Sequence, residues 1–159
     1  MNFDKVQIDI LRDSAEFHNN RWHYYCADDG KILLAPRPST MFIRLPHEEC
    51  KLVLEKVADR NESMEGWYKR TTVPEELEKY KKLDPLGTVK PYFQQKVMYK
   101  LADEGRNFYL YIFPRWLKYV DLFNVEILAK GSESPVIIKE DGDIVQIVAP
   151  IRLEGKWEL

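Results

Sequence analysis

Apolar and polar positions repeat with a period of two along some stretches of the chain and near 3.6 along others, and the two periods predict a mixture of strands and helices. Residues 6–11 read VQIDIL, an alternation expected of a half-buried first strand. In residues 21–27 Trp22, Tyr24 and Cys26 share one face; Asp28-Asp29-Gly30 supplies a turn, and residues 31–35 return as the second arm of a hairpin. Pro36 and Pro38 end that arm because neither can donate to a ladder, and residues 41–45 resume it. Residues 47–60 carry Cys50, Val53, Leu54 and Val57 as a helical stripe, which the polar run 61–66 is expected to break. A short charged helix is expected over 74–82. A longer one over 90–104 opens at Pro91 and turns Phe93, Val97 and Leu101 inward, and the strand NFYLYI follows over 107–112.

The last third has the plainest punctuation. Pro114 suits the first position of a helix, and Trp116, Val120 and Phe123 recur at i, i+4 and i+7, so an amphipathic helix with Phe123 buried is expected over 113–123. Three strands follow over 125–129, 135–139 and 144–151, separated by Lys130-Gly131-Ser132 and by Asp141-Gly142-Asp143, a tight-hairpin signal. The 144–151 run is apolar on both faces apart from Gln146. The chain divides into a first half (1–66), a charged excursion (67–88), a second half (89–153) and a tail (154–159).

Composition narrows the class. The 159 residues suit one domain with enough apolar side chains for a core. No terminal apolar run resembles a signal peptide and none approaches the ~20 residues that cross a bilayer, so a cytoplasmic protein without membrane contact is expected. Cys26 and Cys50 are too few for a disulfide framework. Charge changes the picture more. Residues 1–66 carry 9 basic and 12 acidic side chains, residues 67–118 carry 11 and 6, and residues 119–159 carry 4 and 8. A basic middle between acidic flanks fits loose contact with nucleic acid, since Lys and Arg neutralise phosphates without reading sequence; a solvated, lysine-rich helix surface is the plainer account.

Pro114-Arg115-Trp116-Leu117, Ser134-Pro135-Val136-Ile137-Ile138 and the ending Ala149-Pro150-Ile151-Arg152-Leu153 resemble the closing segment of the bacterial sliding clamp family, and Asp29-Gly30-Lys31-Ile32-Leu33 resembles an earlier turn of the same family. The pattern departs from the family at Ala149 and Ile151, which replace methionines, and at Ile32, where an arginine is usual. The resemblance implies a single clamp-like domain of the α+β class, an antiparallel sheet with two or three helices packed on one face. It implies a helical DNA-facing surface, here Lys90, Lys96, Lys100, Arg115 and Lys118, and a peptide pocket to which Gly30, Leu33, Pro150, Ile151, Arg152 and Leu153 contribute. The implied partners are duplex DNA and a polymerase or other replication protein docked through a short hydrophobic peptide. Since the chain has length for one such domain, a ring would need self-association into a homo-oligomer. Val120-Asp121-Leu122-Phe123 in turn resembles the peptide by which partners dock on clamps.

Two other readings stand beside this one. His23-x-x-Cys26 and His47-x-x-Cys50 have the spacing of zinc-ligand pairs, although strand alternation sets His23 and Cys26 on opposite faces and Cys50 belongs to an apolar stripe; a protein-interaction module without DNA binding is one alternative, a small zinc-stabilised binding module another, and buried thiols with ordinary histidines the plain account. The aromatic and basic interleaving at 21–25 and 106–115 suits either base stacking or cross-strand packing. Neither a phosphate-binding glycine loop nor a local nucleophile signature is present, so no catalysis and no cofactor are expected.

Overall fold

A computed structural model describes residues 1–17, 20–90 and 96–152. Its elements run α1 (Phe3–Phe17), β1 (Trp22–Cys26), β2 (Lys31–Pro36), β3 (Met41–Pro46), β4 (Asp59–Arg60), α2 (Ser63–Thr72), α3 (Pro74–Leu77), β5 (Lys81–Val89), β6 (Met98–Asp103), β7 (Tyr109–Ile112), β8 (Glu126–Ala129), β9 (Val136–Glu140) and β10 (Asp143–Val148). The strands form one sheet in the order β4-β1-β2-β3-β10-β9-β8-β5-β6-β7. Every neighbouring pair is antiparallel except the two-residue pairing of β1 with β4. The class is α+β, as expected.

The sheet is rolled. In a flat sheet β7 would lie five strands from β10, about 24 Å at the usual ~4.8 Å spacing. Yet Ile151, three residues beyond the end of β10, donates its backbone N–H to the Tyr111 carbonyl of β7 at 2.7 Å. Three residues reach about 10 Å, so only curvature brings the two together.

Alternation sends neighbouring side chains to opposite faces, and each face has its own cluster. The larger cluster takes Leu34, Ile43, Leu101, Leu110 and Ile138 from the sheet, with Val6 and Ile10 of α1 and Trp116, Leu117 and Tyr119 closing over them. The smaller cluster takes Leu33, Ala35, Phe42, Ile137 and Ile147, covered by Met64 of α2 with Trp67, Tyr68 and Leu77 packed alongside. The helices thus divide between the two faces instead of packing on one, as the resemblance implies, because β2, β3 and β9 are apolar on both sides and each side needs a cover. A bulge at Ile144/Gln146 breaks the β9–β10 register, and Gln146, opposite Ile43 and Ile138, is fully buried, donating to the Trp116 carbonyl at 2.6 Å. At the β9–β10 turn Asp141 (φ 52°) and Gly142 (φ 83°) both adopt left-handed backbone, the conformation a two-residue hairpin of primed type needs.

Several expected elements differ. Residues 6–11 belong to α1, because Phe3, Val6 and Ile10 form a helical stripe and Asn2 caps the start, its Oδ1 accepting from Lys5 N at 2.9 Å. Residues 47–60 form two short 3₁₀ turns, His47–Glu49 and Leu54–Lys56. Gln7 of α1 claims their backbone: its Nε2 donates to the Glu49 carbonyl at 3.0 Å and its Oε1 accepts from Lys51 N at 2.6 Å. The predicted 90–104 helix is β6 from Met98 to Asp103, buried on both faces, where period is uninformative; its residues 91–95 lie outside the described residues.

The predicted 113–123 helix is a 3₁₀ segment, Pro114–Tyr119, that turns extended at Val120 (φ −118°, ψ 150°). Asn2 N donates to the Tyr119 carbonyl at 2.6 Å, ending it there and leaving Phe123 98% exposed instead of buried. The charged excursion is no excursion: β5 pairs with β8 on one side and β6 on the other. Likewise the 61–66 breaker starts α2, where Asn61 Oδ1 accepts from Ser63 N at 3.1 Å.

Candidate functional site: a cleft over a stacked aromatic pair

On the α2 side the sheet is incompletely covered. Phe42 of β3 and Trp67 of α2 stack nearly parallel, ring centroids 4.1 Å apart and planes 13° from each other. Beside them opens a cleft of about 220 Å³, walled by Thr40, Pro135 and Pro150, with the exposed Arg152 and Glu133 on its rim. Each wall follows from local chemistry. Met64, Trp67 and Tyr68 fall at i, i+3 and i+4, so α2 turns all three toward the sheet. Tyr25 donates to Glu65 at 2.8 Å and anchors that helix to β1. Ser134 Oγ accepts from Lys130 N at 2.8 Å and Gly131 N at 3.2 Å, folding the β8–β9 turn that carries Glu133 and Pro135. Thr40 O accepts from Ala149 N at 2.8 Å, fixing the chain just before Pro150.

The expected peptide-pocket residues are partly assembled here. Pro150 and Arg152 line the cleft, and Leu33 lies in the cluster beneath it with Phe42. Ile151 is half-buried and bonded to β7. Gly30 is not part of it: its carbonyl accepts from His47 N at the far end of the β2–β3 pair. Leu153 lies outside the described residues. Trp67 and Phe42 were not among the expected site residues, although the i, i+3, i+4 spacing of Met64, Trp67 and Tyr68 marks a helix face in the sequence.

The expected DNA-facing residues sit on no common helix. Lys90 follows β5, Lys96 precedes β6, Lys100 lies on β6, and Arg115 and Lys118 belong to the 3₁₀ segment. Lys96 and Arg115 do converge, Nζ and Cζ lying 5.8 and 5.2 Å from the centroid of Phe113, with Arg115 also 4.3 Å from Trp116. Lys100 lies 4.2 Å from the Tyr109 ring. Lys118 is committed instead to Asp9, with which it pairs at 2.6 Å.

Asp9, 5% exposed, also accepts from the Tyr119 hydroxyl at 2.7 Å and pairs with Arg12 at 2.7 Å. Burial works to raise its pKa, but hydrogen bonds from Lys118 and Tyr119 and the charges of Lys118 and Arg12 outweigh it, leaving the carboxyl below its ordinary value. Burial, then the Asp9 carboxylate, push the Tyr119 hydroxyl far up. Every member of this group has a partner, and it fastens α1 to the 3₁₀ segment.

The zinc alternative finds no ligand set. His23 and Cys26 face opposite sides of β1, Cys50 packs against the larger core, and among the described residues no three His, Cys, Asp or Glu side chains gather as metal ligands. No helix among the described residues is long and apolar enough to cross a membrane. No protein-family model matches the chain, and neither a curated protein nor a solved structure matches it significantly.

Proposed function

We propose that this chain is a non-catalytic docking module that receives a short apolar peptide in the cleft beside Phe42 and Trp67. The observation that carries the reading is the cleft's construction: an aromatic floor, two proline walls and one arginine at the rim. Flat rings and prolines offer apolar area with little side-chain entropy to lose, and an arginine can fix the peptide's direction through a carboxylate or carbonyl. A volume near 220 Å³ suits one large side chain. Fluorescence anisotropy of labelled peptides containing Leu-Phe tests it. Binding that is lost in Trp67→Ala and in Arg152→Glu supports the reading, and equal binding by the three proteins refutes it.

A second reading keeps the clamp-like contact with DNA. The convergence of Lys96 and Arg115 on Phe113 favours it, since cations beside an aromatic ring suit phosphate and base together. Duplex binding that falls steeply with salt, and that Arg115→Glu abolishes while the fold persists, supports this reading. Retention unchanged by the variant ends it.

A further inference from the structure

Phe123 is the most exposed large apolar side chain among the described residues, at 98%. A hydrogen-bonded turn holds it there: Asp121 Oδ1 accepts from Phe123 N at 3.1 Å, Asp121 Oδ2 from Asn124 Nδ2 at 2.6 Å, and the Asp121 carbonyl from Asn124 N at 3.0 Å. The ring is therefore presented to water on a hydrogen-bonded turn, flanked by the exposed carboxylates of Asp121 and Glu126.

We infer that the Phe123 turn of one copy of this chain docks in the Phe42/Trp67 cleft of a second copy. The inference rests on the peptide-docking reading and names the occupant. Three observations favour it. The cleft's volume suits a phenylalanine. Arg152 at the cleft complements Asp121 and Glu126 beside the ring, while Glu133 on the same rim repels them and so sets the direction of entry. Finally, the turn precedes β8 and the cleft wall at Pro135 follows it, so knob and cleft stand at opposite ends of one strand. Phe123 cannot reach its own cleft. Copies joined in this way pair unlike surfaces, and the contact repeats head to tail.

One ring and its rim bury far less than the ~1,200 Å² of a stable interface, so the assembly is weak and concentration-dependent. Sedimentation velocity of the full chain, from about 10 μM to about 1 mM, is the test. The weight-average mass rises with concentration for the unmodified chain and stays monomeric for Phe123→Ala, which removes only exposed atoms, and for Arg152→Glu, which alters only the rim. Mixed in equal amounts, the two variants form one-to-one pairs and nothing larger, because one retains a cleft and the other a knob.

A monomer at every concentration overturns the inference, as does assembly of Phe123→Ala like the unmodified chain. Variants that fail to pair on mixing also overturn it, since a contact of like surfaces gives that result. If labelled Leu-Phe peptides bind the cleft while the chain stays monomeric, the self-docking fails and the docking function stands; if neither occurs, both fail.

Discussion

The two faces of the sheet are built from the same strands and finished differently. On the α1 side a helix of 15 residues and the 3₁₀ segment close over the larger cluster, and the polar groups at their junction are tied together around Asp9. On the α2 side a helix of 10 residues covers a smaller cluster and leaves the Phe42/Trp67 stack beside an open cleft. Incomplete burial beside flat aromatic rings leaves the concave, apolar surface on which we propose that a partner's side chain finishes the packing.

Adjacent residues of β2 measure this difference most directly. Leu34 points into the larger cluster and Leu33 into the smaller, both essentially unexposed. Leu34→Ala should cost about 4 kcal/mol, because the closed face cannot collapse into the hole, and Leu33→Ala nearer ~2 kcal/mol, because Trp67 and its neighbours can settle toward it. Urea unfolding of both variants checks the ratio; equal losses would mean that the two faces are packed alike.

The next effect lies at the Asp9 junction. Removing the carboxylate in Asp9→Ala strands the Tyr119 hydroxyl and Lys118 and should cost about 2–3 kcal/mol, whereas Tyr119→Phe removes one partner and should cost ~1–2 kcal/mol. Because the folded-state pKa of Asp9 is depressed, its contribution is present above the ordinary carboxylate range and is lost as pH falls below it. Hydrogen exchange should report the loss first in α1. Uniform loss of protection across the sheet would mean that α1 is not a separable cover.

Trp67→Ala should act on the open face with less effect on folding, about 1 kcal/mol beyond its area for the lost stack, while abolishing peptide binding. Circular dichroism with anisotropy separates the two effects. Peptide binding that survives the truncation would place the docking surface elsewhere.

Much of the sheet was legible in the sequence, and the helices largely were not. Turn chemistry at Asp29-Gly30 and Asp141-Gly142 and alternation in the short runs located β1, β2, β3, β8, β9 and β10. The failures share a cause. Stripes such as Cys50, Val53, Leu54 and Val57 are helical in period, but the fold spends the backbone of that segment on hydrogen bonds to Gln7, a partner 44 residues away from Lys51 that no local pattern reveals. Leu101 falls at helical spacing from Val97, yet β6 buries residues of both parities, and in a strand covered on both sides such spacing does not separate helix from strand. The cleft was half legible: Pro150 and Arg152 were read from the chain ending, whereas the floor depends on Phe42 and Trp67 meeting across two elements.

The smallest expected effect concerns how the open face is held. Glu76 of α3 accepts from Lys130 at 2.5 Å and Lys79 at 2.8 Å, and these two partners depress its pKa to about 2. Lys130 begins the turn that carries Glu133 and Pro135, so this exposed pair steadies one wall of the cleft. A depressed carboxylate contributes above its unfolded pKa and loses that contribution as it protonates, here between about 4.5 and about 2. Acidification across that window should therefore weaken peptide binding more in the unmodified chain than in Glu76→Gln, which lacks the charge throughout. High salt at neutral pH should mimic part of the loss, because exposed ion pairs are screened. Parallel pH dependence in the two proteins would show that the β8–β9 turn holds its place through Ser134 alone, and that α3 covers the sheet without positioning the cleft.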